Sequence, residues 1–143
     1  MEHRQAQYVE TQYTQTVLDH GTNPRHMGFL KDPDGFARIK GPCGDTMEIF
    51  LKISHDRQIK EAAFWTDGCI TSIASGSMTV ALAEGNSVQS ARKISQSHIL
   101  DELGGLPEES QHCALLAANT LRAAINDYAL TQSDPWKRQY RRR

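Results

Sequence analysis

The sequence predicts an α+β fold in which a small three-stranded antiparallel sheet, a meander, packs against helices. Three observations point there. Residues 46–53 alternate strictly enough to be a half-buried strand. Two further strand-like stretches, 36–40 and 59–66, lie within short loops of it, so antiparallel neighbours are the economical arrangement. From Thr71 onward the apolar spacing changes from that of a strand to that of a helix.

Taken in order, residues 8–20 carry Tyr13, Val17 and Leu18 at helical spacing. They predict a helix stopped near Gly21 by Asn23-Pro24, because the residue before a proline is pushed out of the helical region. Met27, Phe29 and Leu30 are expected to anchor the following loop on the core. Asp32-Pro33-Asp34-Gly35 is a turn signal that leads into the first strand. In the second strand Met47, Ile49, Leu51 and Ile53 alternate with Thr46, Glu48 and Lys52, and His55-Asp56-Arg57-Gln58 turns the chain into the third. A helix follows from Thr71, with Ile73, Val80 and Leu82 beside the small Ala74, Ala81 and Ala83, to a stop at Gly85. Shorter helices are predicted over 87–93 and 97–103, the second ended by Gly104-Gly105. A last helix covers 108–130, with Leu115, Leu121, Ile125 and Tyr128 as its buried stripe. The expected organisation is one domain over 13–131, between a flexible segment at 1–12 and a basic, mobile tail at 132–143.

At 143 residues the chain is long enough for one domain with an ordinary core. Sixteen basic and seventeen acidic side chains nearly cancel, which argues against a nucleic-acid binder, whose affinity needs a basic face. The Arg141-Arg142-Arg143 end is a solvated terminus on this reading. Neither a signal-peptide core nor a run of transmembrane length is visible, so a reducing cytoplasm is the expected location, with no membrane partner. The three cysteines are widely spaced and form no CxxC, which disfavours a disulfide framework.

Strand parity gives the thiols another use. The loop between the first two strands holds Cys43, Gly44 and Asp45, and the exit of the third holds Asp67, Gly68 and Cys69. The second strand leaves that edge and the third returns to it, so both loops lie within roughly 5–10 Å of each other. Cys69 falls just before a helix, where the positive end of the helix dipole favours thiolate. The third thiol comes as His112-Cys113, early in the final helix. Each element has a plainer explanation. A cysteine in a helix is more often core filling, a lone histidine is more often a surface residue, and Asp45 after glycine is ordinarily a turn residue. Their combination favours a shared site, and soft thiolates with one imidazole or carboxylate suit zinc or an iron–sulfur cluster.

Five motifs in order carry a resemblance over residues 13–128. They are Tyr13 to His20 with Asn23-Pro24-Arg25 and Gly28; Cys43-Gly44-Asp45; Gly68-Cys69 with Ser72-Ile73-Ala74-Ser75; Gly104-Gly105-Leu106-Pro107; and His112-Cys113. The chain resembles the IscU/NifU-type scaffolds of iron–sulfur cluster assembly, in the SufE/IscU-like fold class. The resemblance implies a scaffold rather than an enzyme, assembling a transient 2Fe-2S cluster and passing it to apo-proteins. It implies a site of Cys43, Cys69 and Cys113, with Asp45 or His112 as the further ligand, and zinc there when no cluster is present. It implies Cys113 as acceptor of persulfide sulfur from a cysteine desulfurase, alongside an iron or electron donor and apo acceptor proteins as partners. Asp45, a hard ligand among soft ones, is then the residue that weakens retention and permits release.

Two departures stand out. The LPPVK stretch read by a dedicated chaperone is here Leu106-Pro107-Glu108-Glu109-Ser110, which speaks against that interaction. Asp67 replaces an aromatic, and its carboxylate is expected to raise the Cys69 pKa or compete for metal. The alternatives are a zinc-dependent, SufU-like sulfurtransferase and a binding module with structural zinc. Against the first stand the compact spacing and His112; against the second, the lack of four firm ligands at CxxC-type spacing.

Overall fold

The computed structural model describes residues 12–133. The segments expected to be a flexible N-terminus and a basic tail, and the start of the helix predicted from residue 8, lie almost wholly outside that range. Within it the first helix, α1, runs Gln15–Thr22; Thr14 caps it by accepting the Val17 N–H on its hydroxyl at 3.0 Å, and Asn23 closes it.

Strands β1 (Gly35–Lys40), β2 (Thr46–Ile53) and β3 (Ile59–Thr66) form one antiparallel sheet in the order β1-β2-β3, as the alternation predicted. Met47, Ile49 and Leu51 are fully buried against the helical layer. Phe50, on the other face, is also buried. Phe36 and Phe29 cover it, with ring centroids 5.1 and 5.6 Å away, which is aromatic contact range.

Phe29 and Met27 depart from expectation. Phe29 is 72% exposed and Met27 39%, so neither side chain is a buried anchor. The backbone holds this segment instead. The Gly28 N–H donates to the Phe64 carbonyl at 2.8 Å and the Phe64 N–H to the His26 carbonyl at 3.1 Å, a parallel bridge along the outer edge of β3.

Helix α2 (Ile70–Ala83) packs on β3, on α1 and on the last helix, so most of its circumference is enclosed. Its buried residues are mainly small and hydroxylic, among them Thr71, Ser72, Ser75, Gly76, Ser77 and Thr79, whereas Ile73 and Leu82 are only partly buried. Gly76 lies so close to Phe64 that a Cβ would fall into its ring. Helices α3 (Val88–Ala91) and α4 (Gln96–Leu103) are capped by Ser87 and Ser95, and Gly104 ends α4 in the left-handed conformation at φ +81°.

The last helix starts later than predicted. Glu108–Ser110 is a single 3₁₀ turn, and α5 proper runs Gln111–Ser133 across β1 and β2. Leu121, Ile125 and Tyr128 are buried as expected, but Leu115 is 44% exposed and Leu116 takes the inward position. The inward face passes through Cys113, Leu116, Ala117, Leu121 and Ala124 at helical spacing, and Leu115 lies off that stripe.

Candidate functional site

The β1–β2 connection and the exit of β3 meet, as strand parity requires. Lys40 pairs with Thr46, and Met47 with Thr66. The junction is then stitched. The Thr66 hydroxyl donates to the Thr46 carbonyl at 2.7 Å, the Thr46 N–H to Asp67 Oδ1 at 2.8 Å, and the Gly68 N–H to the Thr66 hydroxyl at 3.1 Å. Asp67 is thus committed to holding the turn. The carboxylate whose charge pushes the Cys69 thiol up is that of Asp45.

Cys69 is the N-cap residue of α2, in extended backbone conformation, and its side chain is exposed. Cys113, in the first turn of α5, is 2% exposed. Two hydroxyls in the first turn of α2 connect them. Thr71 Oγ1 lies 3.2 Å from Cys69 Sγ and 3.4 Å from Cys113 Sγ, so the sulfurs can be no further apart than those two reaches together. Ser72 Oγ donates to Asp45 Oδ2 at 2.7 Å and lies 3.4 Å from Cys113 Sγ. His112 Nε2 stands 3.8 Å from the same sulfur.

Four of the five residues singled out in the sequence, Asp45, Cys69, His112 and Cys113, therefore belong to one hydrogen-bonded chain. Cys43 is exposed on the loop turned by Gly44 at φ +95° and stands outside it. Thr71 and Ser72 are the residues sequence reasoning passed over as participants. The signal was present, as two hydroxyl residues directly after the Cys69 loop in the exposed-to-buried first turn of a helix.

The proton count fixes the direction of these bonds. Each hydroxyl has one proton. The Ser72 proton goes to Asp45, so Ser72 can only accept from Cys113. Burial is the largest influence on Cys69 and pushes its pKa up. Hydrogen bonds from the Thr71 hydroxyl and from the backbone N–H groups of Thr71 and Ser72 outweigh it, and the net shift is downward. For Cys113, burial dominates, and its pKa is raised. Cys69 is the thiol inclined to ionise; Cys113 is held as the neutral partner.

The donor set is three thiols, one imidazole and one carboxylate. Among the described residues, no three histidine, cysteine, aspartate or glutamate side chains are gathered closely enough to hold a metal ion as they stand. Cysteine sulfur, imidazole and carboxylate are nevertheless the ligands that suit zinc and iron–sulfur species, and two hydroxyls, those of Thr71 and Ser72, reach the Cys113 sulfur. No helix among the described residues is long and apolar enough to cross a membrane.

An α+β domain with cysteines at one end of a three-stranded meander is the class of protein that this fold and site define. The chain belongs to the NifU-like N-terminal domain family, whose model matches residues 12–134. It is 42% identical over 117 residues to the iron–sulfur cluster assembly scaffold protein IscU 1 of Archaeoglobus fulgidus, covering 81% of this chain and 76% of that one. It is 38% identical to the IscU scaffold protein of Haemophilus influenzae, covering 84% of this chain and 98% of that one. Among solved structures, the N-terminal part of a nitrogen-fixing NifU-like protein from Brucella abortus superposes with a TM-score of 0.66 at 21% identity, over 85% of this chain and 97% of that one. A proposed iron–sulfur scaffold of the SUF system from Fervidobacterium islandicum gives 0.64 at 19% identity, over 80% and 97%; both shared the fold expected here.

Proposed function

We propose that this chain is a scaffold on which a 2Fe-2S cluster is assembled and from which it is passed to apo-proteins. The ligands are Cys43, Asp45, Cys69, His112 and Cys113, the further ligand beside the three thiolates being Asp45 or His112. The observation that carries this reading is the Thr71 hydroxyl within reach of both the Cys69 and Cys113 sulfurs, with Asp45 and His112 on the same chain of contacts. The curated relatives, named as scaffold proteins at 38–42% identity, support it.

In this reading iron and sulfur are cargo. Cys113 takes the terminal sulfur of a desulfurase persulfide: its thiol gives up its proton as its sulfur forms the new S–S bond, and the desulfurase cysteine takes up that proton as it leaves as the thiol. A pair of electrons from an external donor then reduces each sulfane sulfur to sulfide. Cys113 is buried, so the Thr71 and Ser72 contacts must open before a partner's sulfur can reach it. Asp45 contributes the weak, hard ligation that lets the finished cluster leave. Zinc occupies the same thiolates when no cluster is present, and the setting is cytoplasmic.

Anaerobic reconstitution with iron, cysteine and a cysteine desulfurase tests the reading. A 2Fe-2S visible spectrum, followed by transfer to an apo-ferredoxin, is the expected result. Sulfur-transfer turnover with zinc retained and no cluster formed would overturn it in favour of a zinc-dependent sulfurtransferase. The His112–Cys113 contact favours the scaffold over that alternative.

A further inference from the structure

Ser72 is fully buried, and its hydroxyl makes two contacts of different kinds, one to a carboxylate and one to a thiol. It occupies the third position of α2, where the backbone direction is set by the helix, so its hydroxyl is held on a rigid element. Opposite it, Gly68 leaves the space that the pair uses. A Cβ at residue 68 would sit 2.6 Å from Asp45 Oδ2 and closer still to Ser72 Oγ. Helix, glycine and hydroxyl together fix where the Asp45 carboxylate lies, although Asp45 itself is on the loop that leads into β2.

We propose that Ser72 is the positioning residue for Asp45, and that it keeps this carboxylate a weak, readily displaced ligand. The inference rests on the metal-site reading above and adds the residue that tunes it. The reasoning is electrostatic and geometric. With Oδ2 already accepting the Ser72 proton, Asp45 would offer a metal its Oδ1 more readily than its Oδ2. The lone-pair density shared with Ser72 lowers its strength as a donor. Without the hydroxyl, the carboxylate is free to bind more strongly or to turn aside and leave its place to His112. Either change slows the loss of metal.

Cobalt(II) alone is the probe, because thiolate-to-cobalt charge-transfer absorption reports binding at the cysteines and its decay in excess chelator reports release. Ser72→Ala is expected to slow release by about tenfold, a change of the size, though opposite in sign, that loss of a residue supporting a metal ligand typically makes. Ser72→Thr, which keeps the hydroxyl, should release at the parent rate. In an Asp45→Ala background the further change Ser72→Ala should do nothing, because the effect runs through Asp45. Thermal unfolding of the metal-free variants confirms that they fold; should Ser72→Ala fail there, Ser72→Gly, which also removes the hydroxyl, is expected to slow release in its place. Release from Ser72→Ala at the parent rate, or equal slowing with and without Asp45, would overturn the role of Ser72 while leaving the metal site standing. A parent chain that shows no charge-transfer band would overturn the metal-site reading itself, and this inference with it.

Discussion

The hydroxyl of Thr71 lies 3.2 Å from the sulfur of Cys69, at the first turn of the helix that Cys69 caps. Two features that favour thiolate, the helix N-terminus and a hydroxyl donor, thus act on the same exposed cysteine. The same hydroxyl also reaches buried Cys113, and this asymmetry between two cysteines at one site leads to the first prediction.

Thr71→Val keeps the shape of the side chain and removes the donor. The Cys69 pKa, now held below its ordinary value, should rise, and alkylation of Cys69 by iodoacetamide at neutral pH should slow several-fold. Peptide-resolved mass spectrometry of the rate against pH checks this. Cys113, whose pKa burial raises, should stay nearly unreactive in the parent chain over the same pH range.

Asp45→Ala should lengthen the lifetime of the assembled cluster. The carboxylate is the hard member of the donor set, and its loss leaves thiolates and imidazole, which hold iron–sulfur species more firmly. The decay of visible absorption after anaerobic reconstitution measures it. A shortened or unchanged lifetime would refute the release role given to Asp45.

His20 links the opening helix to α2. It is 7% exposed, and its Nδ1 lies 2.7 Å from the Ser77 hydroxyl, which also accepts the Arg25 N–H at 2.8 Å. Burial, then the Arg25 charge, push its pKa below 6.5, against a smaller opposing pull from Asp19. The unfolded chain therefore takes up this proton first as pH falls. Stability from this group is intact above the unfolded value near 6.5 and is lost as pH falls through it toward the lower folded value. Denaturant unfolding between pH 8 and 5 should show that loss, and His20→Gln should flatten it.

Neighbouring leucines of α5 should behave in opposite ways. Leu116→Ala empties a site that is 5% exposed and should cost about 2–5 kcal/mol in denaturant unfolding. Leu115→Ser, at a position 44% exposed, should change stability by less than about 0.5 kcal/mol. Equal losses would mean that the helix presents a different face to the sheet.

Much of the architecture was legible in the chain because it is written in local chemistry. Alternation placed β2 at 46–53, the glycine pair after Leu103 ended α4, and short connections made the sheet an antiparallel meander. Strand parity alone brought the Asp45 and Cys69 loops to one edge, before any side chain was placed. Where local signals were weak the reading slipped. Leu115 was assigned to the buried stripe of α5, because an alanine-rich helix offers several near-equivalent faces and only the position of the sheet chooses among them. Phe29 was expected to be an anchor, and instead it stands exposed as a lid over Phe50.

The residues' identities determined the sheet, its strand order and the set of thiols, carboxylate and imidazole available at its edge. Only the tertiary structure decided that Thr71 would stand between two sulfurs and that Ser72 would hold Asp45. Those contacts span separations of 42 and 27 residues and depend on the depth to which α2 sinks between the sheet and α5. That depth is a property of packing: the small residues of α2 permit a close approach, and the close approach carries their hydroxyls into the site.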